Sequence, residues 1–454
     1  MSETPAPDAV RTYAEAERAL LARWPETRLE PSLDRIAAFT ELLGEPQSSY
    51  PVLHLTGTNG KTSTSRMIDT LVTAIGLRTG RFTSPHVESM TERISLDGEP
   101  LSEEQFLEAY NDVAALARLA DEDAAHPLSF FEMVVGMAYA TFANAPVDAA
   151  VVEVGMGGSW DATNVADATV AVILPIAVDH ASYLGARPVD IAVEKAGIIK
   201  PGSTVVSAAQ AEDVAAVIVE RAAEVGATVL WEGRDFGVSQ RVPAVGGQML
   251  RLSGLRGEYD EVFLPLYGAH QGQNAAIALA AVEAFVGDEP LDGDLVREAF
   301  EQVTSPGRLE VVRRSPTIVL DAAHNPHGAA AVVDALEDSF AFSPLIGVVG
   351  VMSDKDYEGV LAAFEPAMAA IVCTQNSTAR TLPAEELAEV ARGIFGHDRV
   401  YVAPRLDDAL DQAATLAEEG GVFGEAIGSG AVLVTGSVVT VGEARHMLTS
   451  RDRA

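Results

Sequence analysis

The chain has 454 residues, 48% of them hydrophobic, and its 66 acidic against 31 basic side chains leave a formal net charge of −35. That length supports two or three domains with ordinary cores, and the acidic excess argues against general attraction to nucleic acid or to an anionic membrane. One cysteine, Cys373, rules out an internal disulfide, and neither the segment Met1 to Ala14 nor any apolar run of about 18 residues provides a signal peptide or a membrane span, so a cytoplasmic protein is expected.

Helical periodicity covers about Ala9 to Arg23 and Leu33 to Leu43, and the apolar run Val52-Leu53-His54-Leu55 then reads as a strand. It leads into Gly57-Thr58-Asn59-Gly60-Lys61-Thr62 and a helical stretch from Ser63 to Ile75. Buried parallel strands are expected at Ala149–Val154, Thr169–Pro175 and Thr204–Ser207, separated by helices at Glu103–Ala120, Phe130–Ala143 and Ile191–Ile199. From Phe236 to Leu266, alternation and glycine turns suggest a small antiparallel insert. Helices near Asn274–Phe285 and Asp294–Gln302 precede the punctuation Thr304-Ser305-Pro306-Gly307. The βα rhythm restarts at Thr317–Asp321 and continues through strands near Leu345–Val351, Ala370–Thr374, Arg399–Val402 and Ala431–Thr435. The expected class is α/β, with a P-loop domain over residues 1–304 carrying the insert and a smaller, doubly wound, Rossmann-like domain over residues 305–454.

Strand, glycine-rich loop and helix together make a phosphate cradle. Backbone N–H groups crowd the phosphate oxygens, Lys61 supplies a point charge and Thr62 offers a hydroxyl to a metal. The loop is contracted: the glycine usual five residues before the Gly-Lys pair is replaced by Leu55, and the first glycine is Gly57. Val151-Val152-Glu153 ends a strand in a carboxylate followed by a glycine-rich turn, which makes Glu153 a Mg²⁺ ligand candidate. Asp179-His180 follows the next strand, where a lone histidine is more often structural than a ligand. Lys195 suits a hard cation only if CO₂ carbamylates it to an anionic oxygen ligand. Asp321 and His324 end the first strand of the second domain, on the side where such sheets bind ligands; a plain turn with Asp321 as a helix cap is the equal alternative.

G-T-N-G-K-T, Thr83-Ser84-Pro85-His86, Glu92-Arg93-Ile94, Phe131-Glu132, E-V-G-M-G-G-x-x-D-A-T-N ending at Asn164, D-H, E-K-A-G-I-I-K-P, Gln273-Asn274-Ala275, P-G-R and D-A-A-H-N-P occur in this order. Together they resemble the folylpolyglutamate synthase and dihydrofolate synthase family, within the Mur-ligase group of ADP-forming amide ligases. The resemblance implies that Gly57, Thr58, Asn59, Gly60, Lys61 and Thr62 hold the ATP phosphates. It implies one Mg²⁺ at Ser84 and Glu153, and a second at His180 and carbamylated Lys195. Asn274, Arg308 and Asp321 match positions that contact ATP, and His324 matches an active-site histidine. Phe131, Glu132, Trp160, Asp161 and Ala162 are the implied pterin and folate contacts, although Ser159 stands where many relatives have Arg and Trp160 where Leu is frequent.

The implied chemistry transfers the γ-phosphoryl group of ATP to a carboxylate, and the amine of L-glutamate then attacks the acyl phosphate. Tetrahydrofolate tail-lengthening is the favoured reading, with glutamate addition to dihydropteroate kept open. Arg93 and Lys355 are candidates for holding free glutamate. A monomer is expected. The alternatives are a Mur-type ligase acting on a cell-wall nucleotide precursor, for which only about 50 residues precede the loop, and a P-loop switch NTPase, for which no Asn-Lys-x-Asp signature is found.

Overall fold

The computed structural model describes residues 10–25, 31–419 and 429–451; Ala9, the expected start of the first helix, lies outside them. That helix runs Tyr13–Leu21, with Thr12 as its N-cap. The chain divides into two compact units, one within Met1–Gln240, Leu250–Val262 and Gln273–Val303, the other within Arg241–Met249, Phe263–Gly272 and Thr304–Ala454.

The first unit is built on an eight-stranded sheet. In chain order its strands are β1 (Val52–Thr56), β2 (Thr79–Phe82), β3 (Ile94–Leu96), β4 (Glu99–Pro100), β5 (Ala149–Glu153), β6 (Ala168–Ile173), β7 (Thr204–Ser207) and β8 (Thr228–Trp231). Their spatial order is β4-β3-β2-β5-β1-β6-β7-β8. Pairing is parallel from β2 to β8, whereas β3 and β4 pair antiparallel at one edge. The central strands are buried on both faces, which is why β1 and β5 read as largely apolar runs, with His54 the exception inside β1 and Glu153 at the end of β5. One face packs against Phe39, Phe106, Met133 and Phe142, the other against Ala192, Ile198 and Ile218. Ser129 and Ser102 each form a capping box at the start of the Phe130–Asn144 and Glu103–Asp123 helices, and such a cap contributes about 1 kcal/mol.

Strand β2 departs from the expected pattern because it carries a buried arginine. Arg81 Nε meets Asp69 Oδ2 at 2.8 Å, Arg81 Nη2 donates to Ser95 Oγ at 2.9 Å, and the pair is almost fully buried. Neutralised in this way, a charged residue occupies a central strand that periodicity alone passes over.

The insert forms a three-stranded sheet, β11-β10-β9, from β9 (Gly237–Ala244), β10 (Gly247–Ser253) and β11 (Glu258–Leu264). The two-residue connection Val245-Gly246 makes the first pair an antiparallel hairpin. The insert contributes residues to both units: Arg241 pairs with Asp338, and Gln248 donates to Leu266 O at 2.8 Å and Gly268 O at 3.0 Å, all within the second.

The second unit's sheet has the order β12-β13-β17-β14-β15-β16, from β12 (Glu310–Arg314), β13 (Thr317–Leu320), β14 (Phe342–Val349), β15 (Ala370–Cys373), β16 (Val400–Val402) and β17 (Ser429–Thr435). All neighbours are parallel except β12 with β13. Apolar clusters cover both faces, as a doubly wound sheet requires. No helix among the described residues is long and apolar enough to cross a membrane.

Candidate active site

Strands β2, β5, β1 and β6 are consecutive neighbours and parallel, so the loops at their carboxyl ends lie along one edge of the sheet. Those loops carry Ser84, Glu153 and the following glycines, Gly57 to Thr62, and Asp179-His180. An open α/β sheet binds its ligands at this edge.

The phosphate loop needs both its glycines. Gly60 caps the Lys61–Ala74 helix at φ +87°, and a Cβ there would lie 2.8 Å from Asn274 Oδ1. A Cβ on Gly57 would meet Leu174 Cβ at 2.5 Å. Asn274 is thus packed on the loop, where the resemblance implies an ATP contact. Thr58 ties the loop to the segment after β6, donating through Oγ1 to Ala177 O at 2.8 Å. The helix begins at Lys61 rather than Ser63, so Lys61 and Thr62 occupy its first turn, where free N–H groups and the helix dipole favour an anion. Lys61 Nζ donates to Gly57 O at 3.1 Å.

Thr62 Oγ1 donates to both Glu153 oxygens, at 3.0 and 3.1 Å. A buried carboxylate and a hydroxyl are therefore adjacent beside the phosphate loop. Among the described residues no three His, Cys, Asp or Glu side chains gather as a metal cage. One carboxylate with a hydroxyl fits Mg²⁺, which keeps waters and shares substrate phosphate oxygens.

Lys195, at the end of the Pro188–Lys195 helix, reaches back to β1 and donates to Gly57 O at 2.9 Å. Burial, and then the Lys61 charge, lower its pKa to about 7 against the pull of Asp179, Asp161 and Glu194. Its approach depends on Gly158, where a Cβ would lie 2.6 Å from Glu194 O and 2.9 Å from Lys195 O. His180 sits in the left-handed region at φ 52°, with its N–H donating to Asp179 Oδ1 at 2.7 Å.

On the implied folate side, the Phe131 ring covers Gly155, where a Cβ would meet Phe131 Cζ at 2.5 Å. The Glu132 carboxylate accepts from Arg35 Nε at 3.0 Å and from Ser129 N at 2.7 Å, joining the Asp34–Leu42 and Phe130–Asn144 helices. Trp160 N donates to Glu194 Oε1 at 3.2 Å, and Ala162 is buried. Asp161 is buried and accepts from Met156 N at 2.9 Å and Thr163 N at 3.0 Å; burial raises its pKa against these bonds. Thr163 Oγ1 continues the chain to His54 Nε2 at 2.8 Å. Sequence reasoning missed this buried His54–Thr163–Asp161 network; the signal was a histidine inside an otherwise apolar strand.

In the second unit, Asp321 follows β13 and accepts from Leu309 N at 2.9 Å and Ala323 N at 2.8 Å. Burial raises its pKa, and the nearby Arg308 guanidinium acts in the opposite direction. The Pro326–Ser339 helix is capped by Asn325, not by Asp321, so the plain-cap reading of Asp321 does not hold. His324 Nδ1 is 2.9 Å from Ala322 O.

Comparison with known proteins finds two family domains in the chain. Residues 55–282 match the Mur ligase middle domain and residues 307–438 the Mur ligase glutamate ligase domain. The dihydrofolate synthase/folylpolyglutamate synthase of Mycobacterium tuberculosis is 49% identical over 98% of this chain and 95% of its own length. A Mycobacterium tuberculosis folylpolyglutamate synthase structure complexed with ADP superposes with a TM-score of 0.93 at 49% identity, covering 96% of this chain and 98% of that one. An Escherichia coli FolC structure in complex with DHPP and ADP gives a TM-score of 0.85 at 28% identity, covering 98% and 100%.

Proposed function

Because the chain belongs to the folylpolyglutamate synthase and dihydrofolate synthase family of the Mur-ligase group, we propose that it adds L-glutamate to the terminal carboxylate of tetrahydrofolate, forming ADP and phosphate. The observation that carries the reading is the contiguous set Gly57, Lys61, Thr62, Glu153 and Lys195 at the carboxyl ends of β1 and β5.

The loop from Gly57 to Thr62 binds the triphosphate through its N–H groups, and Lys61 turns from Gly57 O to the phosphates. Thr62, Glu153 and Ser84 would hold Mg²⁺, with His180 and Lys195 at a second ion; bound there, Mg²⁺ neutralises phosphate charge and acts as a Lewis acid. Lys195 is suited to carbamylation because an amine with a pKa of about 7 is substantially neutral at physiological pH. The neutral nitrogen attacks CO₂ through its lone pair and then loses a proton, leaving an anionic carbamate in place of the amine. For the second unit, the proposal is that Arg308 and Asp321 contact ATP and that His324 serves the active site.

The substrate carboxylate attacks the γ-phosphorus, and ADP leaves. Lys61 lowers the repulsion between these anions. The glutamate amine then attacks the acyl phosphate carbon, loses a proton and expels phosphate. The same chemistry extends to dihydropteroate as a second acceptor. The reading carries with it a cytoplasmic monomer acting on small molecules.

Lys61→Ala and Glu153→Ala are each expected to reduce glutamate-dependent ADP release by 100-fold or more, on the order of a lost transition-state charge contact, while the proteins stay folded by circular dichroism. Normal turnover in either folded variant contradicts the proposal.

A further inference from the structure

The loop after β2 that carries Ser84 is fastened by a charged clamp, half-buried at Glu92 and buried at Arg93. Thr83 closes its base, with N donating to Arg93 O at 3.0 Å and Oγ1 to Glu92 O at 3.2 Å. The Glu92 carboxylate accepts three consecutive amides, Val87 N at 2.9 Å, Glu88 N at 2.9 Å and Ser89 N at 2.8 Å. Arg93 Nε donates to His86 Nδ1 at 2.9 Å, and its guanidinium lies 4.8 Å from the centroid of the Phe130 ring. Arginine has no acceptor, so His86 Nδ1 must accept and the ring proton of the neutral imidazole sits on Nε2.

Arg93 is only 3% exposed. Its guanidinium engages a histidine and an aromatic face within its own loop and the neighbouring helix. A buried charge with this many fixed partners is costly to desolvate and serves geometry more readily than net stability. The clamp stands beside the metal side of the sheet edge, because β2 and β5, which lead to Ser84 and Glu153, are parallel neighbours.

We infer that Glu92 and Arg93 are positioning residues that hold the Ser84 hydroxyl in register with Glu153 for a divalent cation. This rests on the reading of Ser84 as a metal ligand. The carboxylate fixes the far end of the loop through three amides, and Arg93 fixes its middle through His86, so Ser84 has little freedom left on binding. Outer-shell partners of this kind typically control metal affinity by 10–100-fold.

The test is binding, read without turnover. Mn²⁺ is titrated into the protein saturated with AMPPCP and followed by electron paramagnetic resonance, for the unaltered chain, Ser84→Ala, Glu92→Gln, Arg93→Lys and Ser84→Ala/Arg93→Lys, with thermal melting of each. The expected result is a loss of Mn²⁺ affinity of about 10-fold or more in each single variant, with cooperative melting retained and no further loss in the double variant. If Ser84→Ala loses affinity while folded Glu92→Gln and Arg93→Lys do not, the clamp inference is overturned and the Ser84 reading stands. If Ser84→Ala binds Mn²⁺ normally, both are overturned. Should either clamp variant not fold, the other decides.

Discussion

His54 links the buried network behind the phosphate loop to a measurable pH dependence. It is fully buried on β1, Nε2 faces Thr163, and Nδ1 has no hydrogen-bond partner among the described residues. Burial, reinforced by the Lys200 charge, lowers its pKa from 6.5 to about 3. Between those values the unfolded chain takes up a proton that the folded chain refuses, so stability falls as pH falls through 6.5 towards 3. Integrated from pH 7.5 to pH 5, this one group removes about 2 kcal/mol, and the figure is insensitive to the folded value as long as that stays below about 4. All three tryptophans, Trp24, Trp160 and Trp231, lie in the first unit, so fluorescence during urea unfolding follows that unit. His54→Gln keeps a hydrogen-bonding group facing Thr163 but cannot titrate. The pH 7.5 to 5 loss should therefore be about 2 kcal/mol smaller in the variant, other groups cancelling in the difference. Equal losses in the two proteins would refute the account of His54 as a neutral buried base.

Gly60→Ala places a side chain at φ +87° and 2.8 Å from Asn274 Oδ1. The left-handed backbone alone costs about 1–2 kcal/mol, so ADP affinity by calorimetry should drop roughly 10-fold; unchanged affinity contradicts the phosphate-loop assignment. Asp69→Asn leaves the buried Arg81 charge uncompensated and should destabilise the first unit by about 3–5 kcal/mol. In Asp69→Leu/Arg81→Met most of that should return, as judged by the same fluorescence unfolding. If Lys195 works as a carbamate, exhaustive removal of CO₂ should depress turnover and bicarbonate should restore it, whereas indifference to CO₂ argues for the unmodified amine.

Much of the fold was legible because buried parallel strands are apolar on both faces, and Val52–Leu55 and Val151–Val152 announce themselves on that basis. Strand ends were legible too, since glycine, lysine and carboxylate types mark where chain approaches ligand. What escaped were features created by residues distant in sequence. Arg81 hides β2 until Asp69 is brought beside it, and His54 looks like an interruption until Thr163 and Asp161 supply its context. The approach of Lys195 to Gly57 depends on how a helix 138 positions later returns to β1, which no local pattern encodes. The burial of Arg93 against Phe130 is of the same kind, since no local pattern brings that helix to the loop.

Release of ADP by the purified protein with Mg²⁺ and ATP, with and without L-glutamate and with tetrahydrofolate or dihydropteroate as acceptor, tests the central claim most directly. The account predicts release that requires both L-glutamate and tetrahydrofolate, with release on dihydropteroate adding the second activity. ADP release independent of any carboxylate acceptor, or none with either acceptor, would contradict it.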